Sequence, residues 1–330
     1  MSLHPKIEDL LYLIAGTRKA GKRKQLHELS AIEARHDYDR GAVVLDILPL
    51  VLPHVENLKI STRDGQSIAA RLYAPQALSW ATPMPVLLFF HGGGFVVGSL
   101  DSHDALCRSL ATRTPCAVLS VDYRLAPEFQ FPTAIHDAMD ALQWLLAEGT
   151  QYGLDTRRIA VGGDSAGGTI AAVLALQARD AGITLALQLL IYPGTGSHQD
   201  TDSHRRFAEG YLLSATTVQW FFHNYLRTET DRTDWRFAPL LHDDLSKLAP
   251  AWVAVAEYDP LHDEGVAYAN RLTAAGVPTT LRFYPGMVHE FFKLGGLVPE
   301  MVTAHDEAAQ ALAWGFDSLA DSNPLRHKVG

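Results

Sequence analysis

The densest chemistry in this sequence lies at Gly163-Asp164-Ser165-Ala166-Gly167, preceded by Arg158-Ile159-Ala160-Val161-Gly162 and followed by Gly168-Thr169-Ile170-Ala171-Ala172-Val173-Leu174. A strand-like run enters a Gly-x-Ser-x-Gly turn, and the turn opens a helix. Glycines at 163 and 167 let strand and helix approach closely around a sharp turn, which lifts the Ser165 hydroxyl clear of the backbone. The helix behind it directs its positive end and free N–H groups to the same place, so that the Ala166 N–H faces a developing oxyanion. The pentapeptide alone is common in Gly-rich loops. Its setting between strand and helix makes Ser165 a candidate nucleophile for acyl transfer.

A second element, His91-Gly92-Gly93-Gly94-Phe95, follows the apolar run Val86 to Phe90. Glycine weakens a helix or strand by roughly 0.5 to 1 kcal/mol relative to Ala, so close backbone approach is the better reason for this run. Such a loop aims N–H donors at a carbonyl oxygen as it becomes an alkoxide, and one donor contributes about 2.7 to 4 kcal/mol of transition-state stabilisation. His91 is expected to fix the loop by hydrogen bonds, without a catalytic part.

A serine nucleophile needs a base and a carboxylate that orients it. In the chain order serine, acid, histidine, Asp259 ends the strand-like Trp252 to Tyr258, and His289 lies just beyond the strand-like Thr280 to Tyr284. Asp263, with Glu264, reads instead as the charged first turn of a helix. His262 and His305 also lie downstream, but neither occupies a loop directly after a strand.

The elements needed to position these groups are legible as well. Strand-like runs at Val86 to Phe90, Ala117 to Val121, Ile159 to Gly162, Leu185 to Ile191, Trp252 to Ala256 and Thr280 to Phe283 alternate with helical patterns near Ala105 to Ala111, Ala134 to Leu146, Thr169 to Ala178, Val266 to Ala275 and Ala304 to Leu319. Several runs are apolar almost continuously, as strands buried on both faces are, and the helices supply parallel crossovers. An α/β sandwich of three layers is expected. Helices are expected in residues 1–50, with Ile7, Leu10, Leu11 and Ile14 on one face, and the stretch 194–234 breaks the rhythm with Tyr211, Leu212, Leu213, Trp220, Phe221, Phe222 and Tyr225 but no strand signal. Together these two segments could form a lid over the strand ends, dividing the chain into 1–50 and 194–234 as cap and 51–193 and 235–330 as core.

The chain has 330 residues, 47% hydrophobic and 20% charged, enough for a large core. Its net charge of −9 offers no broad positive field for nucleic acid or an anionic membrane. No run reaches the roughly 18 apolar residues of a spanning helix, and residues 1–13 do not read as a leader, so a cytoplasmic protein without stable membrane insertion is expected. Cys107 and Cys116 are read as buried, reduced thiols. Gly16 to Lys22 superficially follows a phosphate-binding loop, but Arg23 stands where Ser or Thr must ligate magnesium. The basic patch Lys19, Lys22, Arg23 and Lys24 is read as solvated surface, and no spacing suggests a metal site or requires a cofactor.

Taken together, His91 to Phe95, Asp122-Tyr123-Arg124-Leu125-Ala126-Pro127-Glu128, Gly163 to Gly168, Asp259-Pro260-Leu261 and His289 make the chain resemble the bacterial esterases related to hormone-sensitive lipase, within the α/β-hydrolases. The resemblance covers nearly the whole chain. It implies a mostly parallel eight-stranded sheet with a helical cap, oxyanion donors at the N–H groups of Gly93, Gly94 and Ala166, and Arg124 and Glu128 as buried ion-pair or hydrogen-bond partners in a structural turn. Glu290 departs from the pattern, since members often carry glycine after this histidine. The expected reaction is hydrolysis of small esters of short or medium acyl chain, with Phe95, Leu212, Trp220 and Phe221 as candidate pocket walls. The triad does not choose between an alcohol and an amine leaving group, so an amidase or deacetylase stays open; a purely binding role is disfavoured by the presence of His289. The composition permits a homodimer as readily as a monomer.

Overall fold

The computed structural model describes residues 2–321. Among these, eight strands form one sheet: β1 (His54–Ser61), β2 (Ser67–Ala74), β3 (Met84–Phe90), β4 (Ala117–Asp122), β5 (Leu154–Asp164), β6 (Gln188–Ile191), β7 (Ala251–Tyr258) and β8 (Thr279–Val288). Their order across the sheet is β1-β2-β4-β3-β5-β6-β7-β8. β2 runs antiparallel to both its neighbours, and every other pairing is parallel. The helices are α1 (Pro5–Lys19), α2 (Ala31–Leu45), α3 (Asp104–Arg113), α4 (Thr133–Glu148), α5 (Ala166–Asp180), α6 (Asp202–Arg206), α7 (Ala215–Tyr225), α8 (His262–Ala274) and α9 (Val302–Asp321).

The continuous apolar run of β3 follows from burial on both sides. Val86, Leu88 and Phe90 pack into the core beneath α4, α5 and α8, while Leu87 and Phe89 point to the core shared with α3 and α9. These two apolar layers make the three-layer sandwich. All six expected strand runs pair in the sheet, although the one expected from Leu185 is a strand only from Gln188. The β1–β2 hairpin carried no comparable signal, because most β1 side chains are exposed and its turn is closed by polar residues, Thr62 N–H donating to Gln66 O at 3.0 Å.

The parallel strands deliver their C-terminal ends to one edge, where His91 follows β3, Ser165 follows β5, Asp259 follows β7 and His289 follows β8. Residues 194–234 contain α6, α7 and a short 3-10 turn, without a strand. On the other side of this edge α2 is tied down by Arg35, whose guanidinium donates to Val96 O at 2.9 Å and Ala126 O at 2.8 Å. The same guanidinium holds Glu128, which corrects one expectation: the Glu128 side chain is 46% exposed and does not pair with Arg124. Arg124 instead holds Asp137 and Asp64, each at 2.6 Å, because the turn it belongs to faces α4.

Candidate active site

Ser165 is the last residue before α5 and has φ 53° and ψ −119°. Backbone in this region strains an L-residue by about 1 to 3 kcal/mol and persists only where its surroundings force it. The surroundings here are very close. A Cβ on Gly167 would stand 1.9 Å from the Phe90 carbonyl oxygen, and one on Gly163 would stand 2.4 Å from the same atom. Only glycine at both positions allows α5 to start this near β3, which is what projects Ser165.

His289 Nε2 lies 2.8 Å from Ser165 Oγ, and His289 Nδ1 lies 2.7 Å from Asp259 Oδ2. The other carboxylate oxygen of Asp259 accepts the Leu261 N–H at 2.9 Å, fixing the carboxylate plane. All three side chains are buried. Burial disfavours the imidazolium of His289, but the Asp259 carboxylate, by charge and hydrogen bond, and then Glu290 and Asp164 outweigh it, so the His289 pKa is raised above the usual histidine value. The three rival residues are engaged elsewhere. Asp263 accepts the Ser203 N–H at 2.8 Å, His262 Nδ1 is 2.7 Å from Ala256 O, and His305 lies between Ser109 Oγ and Phe292 O.

The glycine loop sits directly against this chain of groups. Gly93 and Gly94 have φ 119° and 58°, and Val96 and Val97 both donate to the Gly93 carbonyl, closing a tight turn. His91 is fully buried, with Nδ1 2.8 Å from Gly92 O and its ring stacked on Tyr123, whose hydroxyl donates to His91 O at 2.8 Å. Burial pushes the His91 pKa down to about 3, which keeps the ring neutral, as its structural reading requires. Two further groups hold the loop that sequence reading did not single out. Asp164 Oδ1 accepts the Gly92 N–H at 2.8 Å and lies 3.1 Å from His103 Nε2. Burial opposes the Asp164 charge, but His103, Lys293 and the Gly92 N–H outweigh it and hold the carboxyl well below the usual range. The signal for Asp164 was its place beside Ser165; nothing local marked His103.

Two cavities meet at Ser165. The larger, about 1020 Å³ and open to solvent, is lined by Ser165, His289, Gly93 and Gly94 from the core, by Ile14, Leu26 and Tyr38 from the N-terminal helices, and by Leu212 and Phe221 from the 194–234 segment. The smaller, about 470 Å³, is lined chiefly by Phe95, Leu213, Val218, Phe221, Phe222 and Phe237, with Glu264 in its wall. Three of the four expected walls, Phe95, Leu212 and Phe221, therefore border a cavity. Trp220 borders neither; its ring lies 5.4 Å from that of Phe221 and it packs against the core, as the i−1 neighbour on α7 must when Phe221 faces inward. Lys19, Lys22, Arg23 and Lys24 are exposed, as expected of a solvated surface, but Arg23 and Lys24, together with Arg18, also line the larger cavity.

Glu264 is buried, its Oε1 accepting the Thr195 N–H at 2.7 Å and its Oε2 3.5 Å from His204 Nε2. Burial first, and Asp259 with it, pushes the Glu264 pKa up to about 8 against the backbone N–H groups of Thr195 and Gly196. Cys107 and Cys116 are free and buried. Among the described residues no helix is long and apolar enough to cross a membrane, and no group of three or more His, Cys, Asp or Glu side chains could hold a metal ion.

Residues 87–293 match the family model described as alpha/beta hydrolase fold. The chain is 43% identical over 302 residues to an ethyl acetate hydrolase of Pseudomonas putida, covering 91% of this chain and 95% of that one. It is 44% identical over 258 residues to the carboxylic ester hydrolase LipN of Mycobacterium tuberculosis, covering 75% and 68%. Among solved structures, an ester-hydrolase from the metagenome of Lake Arreo, complexed with a derivative of bipyridine phosphonate, superposes with a TM-score of 0.91 at 41% identity over 96% of this chain and 99% of that one. By its sheet and these matches, the chain belongs to the α/β-hydrolases, in the branch of esterases resembling hormone-sensitive lipase.

Proposed function

We infer that this chain is a serine carboxylesterase in which Ser165 is the nucleophile, His289 the general base and acid, and Asp259 the carboxylate that orients it. The unbroken hydrogen-bond chain from Ser165 Oγ through His289 to Asp259 carries this reading. Ser165 Oγ attacks the ester carbonyl and His289 Nε2 takes its proton. The oxyanion is received by the N–H groups of Gly93, Gly94 and Ala166. His289 then gives the proton to the departing alcohol, takes one from water, and the resulting attack releases the acid and restores Ser165.

The leaving oxygen has to meet His289. His289 lines the larger cavity and not the smaller one, so the larger takes the alcohol and the smaller the acyl group. A mainly apolar pocket lined by Phe95, Phe221, Phe222 and Phe237 suits a short or medium acyl chain, in keeping with a relative named for ethyl acetate. Residues 1–50 and 194–234 act as the cap over the larger cavity, and residues 194–234 line the smaller one as well. The two reduced thiols suit a cytoplasmic setting.

The test is a chromogenic ester series from acetyl to palmitoyl with a matched anilide. A short or medium optimum that moves to longer acyl chains in Phe221→Ala but not in Trp220→Ala supports the reading. A palmitoyl optimum, or faster turnover of the anilide, contradicts it.

A further inference from the structure

The segment Arg18-Lys19-Ala20-Gly21-Lys22-Arg23-Lys24 carries five cations in a chain whose net charge is −9. Lys19 and Lys22 are exposed, as the end of a helix next to solvent would have them. Arg23 and Lys24 are exposed too, but with Arg18 they line the cavity that holds Ser165 and His289, where Lys293 joins them. Among the described residues only two carboxylates line the same cavity, Asp37 and Glu290, and both are committed. Asp37 is shared by Arg23 at 3.4 Å and Arg40 at 3.5 Å, and Glu290 accepts the Tyr38 hydroxyl at 2.8 Å with Lys293 at 3.9 Å.

Arg18 stands apart within this set. Its Nε is sealed from solvent and has no hydrogen-bond partner among the described residues. A buried donor left in this way is costly unless a ligand supplies the acceptor. Burial and the neighbouring Arg23 both work against the Arg18 charge, and the opposing anions, Glu28 and Glu209, act on it without a hydrogen bond. Glu28 is already occupied, its Oε2 accepting the Gln25 N–H at 2.6 Å. An unpaired guanidinium and a nucleophile in the lining of one cavity suit a substrate that carries an ester and, away from it, a planar anion.

We propose that the larger cavity selects esters whose alcohol half ends in a carboxylate or similar anion, with Arg18 receiving that group and Arg23 and Lys24 forming the rim that attracts it. This rests on the reading of Ser165 as nucleophile and of the larger cavity as the alcohol side. It makes the cap the source of substrate choice, since Arg18, Arg23 and Lys24 all lie in residues 1–50. The locally positive rim draws an anionic substrate to a protein that otherwise repels it, an effect that salt weakens.

The experiment uses acetate esters of ω-hydroxy carboxylic acids of increasing length, each paired with its primary amide. The remote group then changes charge without changing the reactivity of the alkyl leaving group. With acetate release as the readout, kcat/KM for the carboxylate should exceed that for the amide by about tenfold or more at one preferred length, the ratio expected from roughly 1.4 kcal/mol of added binding. Arg18→Gln should bring the ratio toward one, with the amide as internal reference. The rim variant Arg23→Gln/Lys24→Gln, at exposed positions that should not disturb folding, should lower the ratio and flatten its salt dependence. Equal turnover of carboxylate and amide at every length, or a ratio that neither variant moves, would overturn the proposal. Failure of the wild type to turn over 4-nitrophenyl acetate would remove the esterase reading and this one with it; turnover of that ester without a carboxylate preference removes only this one.

Discussion

The Tyr38 hydroxyl donates to Glu290 Oε1 at 2.8 Å, so a side chain of α2 is hydrogen-bonded to the residue that follows His289. Glu290 has φ 68°, a left-handed conformation that glycine adopts without strain and glutamate does not. The side chain offsets that strain by joining the N-terminal helices to the histidine loop. Lys293, buried in the same cluster, donates to the Tyr38 hydroxyl and sits 4.4 Å from its ring centre. Burial and Glu290 raise the Tyr38 pKa far above the usual value, so the phenol stays a donor.

Glu290 also helps raise the His289 pKa. Glu290→Gln keeps an acceptor for Tyr38 and removes the charge, so the acid limb of the kcat/KM profile should move to lower pH. Tyr38→Phe leaves Glu290 and Lys293 without their shared partner and should cost about 1 to 3 kcal/mol in stability, read from urea denaturation. An unmoved limb in the first variant would separate Glu290 from His289, and unchanged stability in the second would make the link incidental.

The pH dependence has a definite sign. His289 must be neutral to take the Ser165 proton, and its pKa is raised, so activity should climb with pH to a midpoint above the ordinary histidine value. Asp259→Asn removes the carboxylate that most favours the imidazolium, so the midpoint should fall while kcat drops on the order of 10⁴-fold, the scale seen when a triad carboxylate is neutralised in a serine protease. A midpoint that stays in place, measured over pH 5 to 9, would assign the limb to another group.

Glu264 supplies a stability test. Its pKa of about 8 in the fold stands above the ordinary glutamate value, so the native state holds a proton that the unfolded chain gives up earlier. This contribution is complete below the unfolded glutamate pKa and disappears as pH rises through about 8. Glu264→Gln, neutral throughout, should therefore lose less stability than the wild type between pH 5 and 9, the difference approaching about 1.4 kcal/mol per unit of the shift that is removed. Parallel denaturation curves that keep a constant separation across this range would refute it.

What the sequence disclosed was the part whose physics is local. Gly163 and Gly167 stand where a Cβ would strike the Phe90 carbonyl, and a strand, a turn and a helix follow one another with no intervening choice. The continuous apolar runs of β3, β4 and β7 announced strands buried on both faces. What stayed hidden depends on contacts far apart in the chain. His103 reaches Asp164 across 61 positions, Tyr38 reaches Glu290 across 252, and Arg35 reaches Glu128 across 93. Trp220 and Phe221 are adjacent aromatics of similar apolar character, and only the rotation of α7 decides that Phe221 enters the cavities. That Arg18, Arg23 and Lys24 share a cavity with Ser165 depends on the fold and left no mark in the basic segment itself.

The most direct test of Ser165 as nucleophile is intact-protein mass spectrometry after reaction with a 4-nitrophenyl alkylphosphonate, followed by peptide mapping. One phosphonyl adduct on the peptide containing Ser165, one equivalent of 4-nitrophenol released, ester hydrolysis abolished, and no adduct on folded Ser165→Ala is the expected result. An adduct on another residue, or labelling and ester turnover that persist in Ser165→Ala, would contradict it.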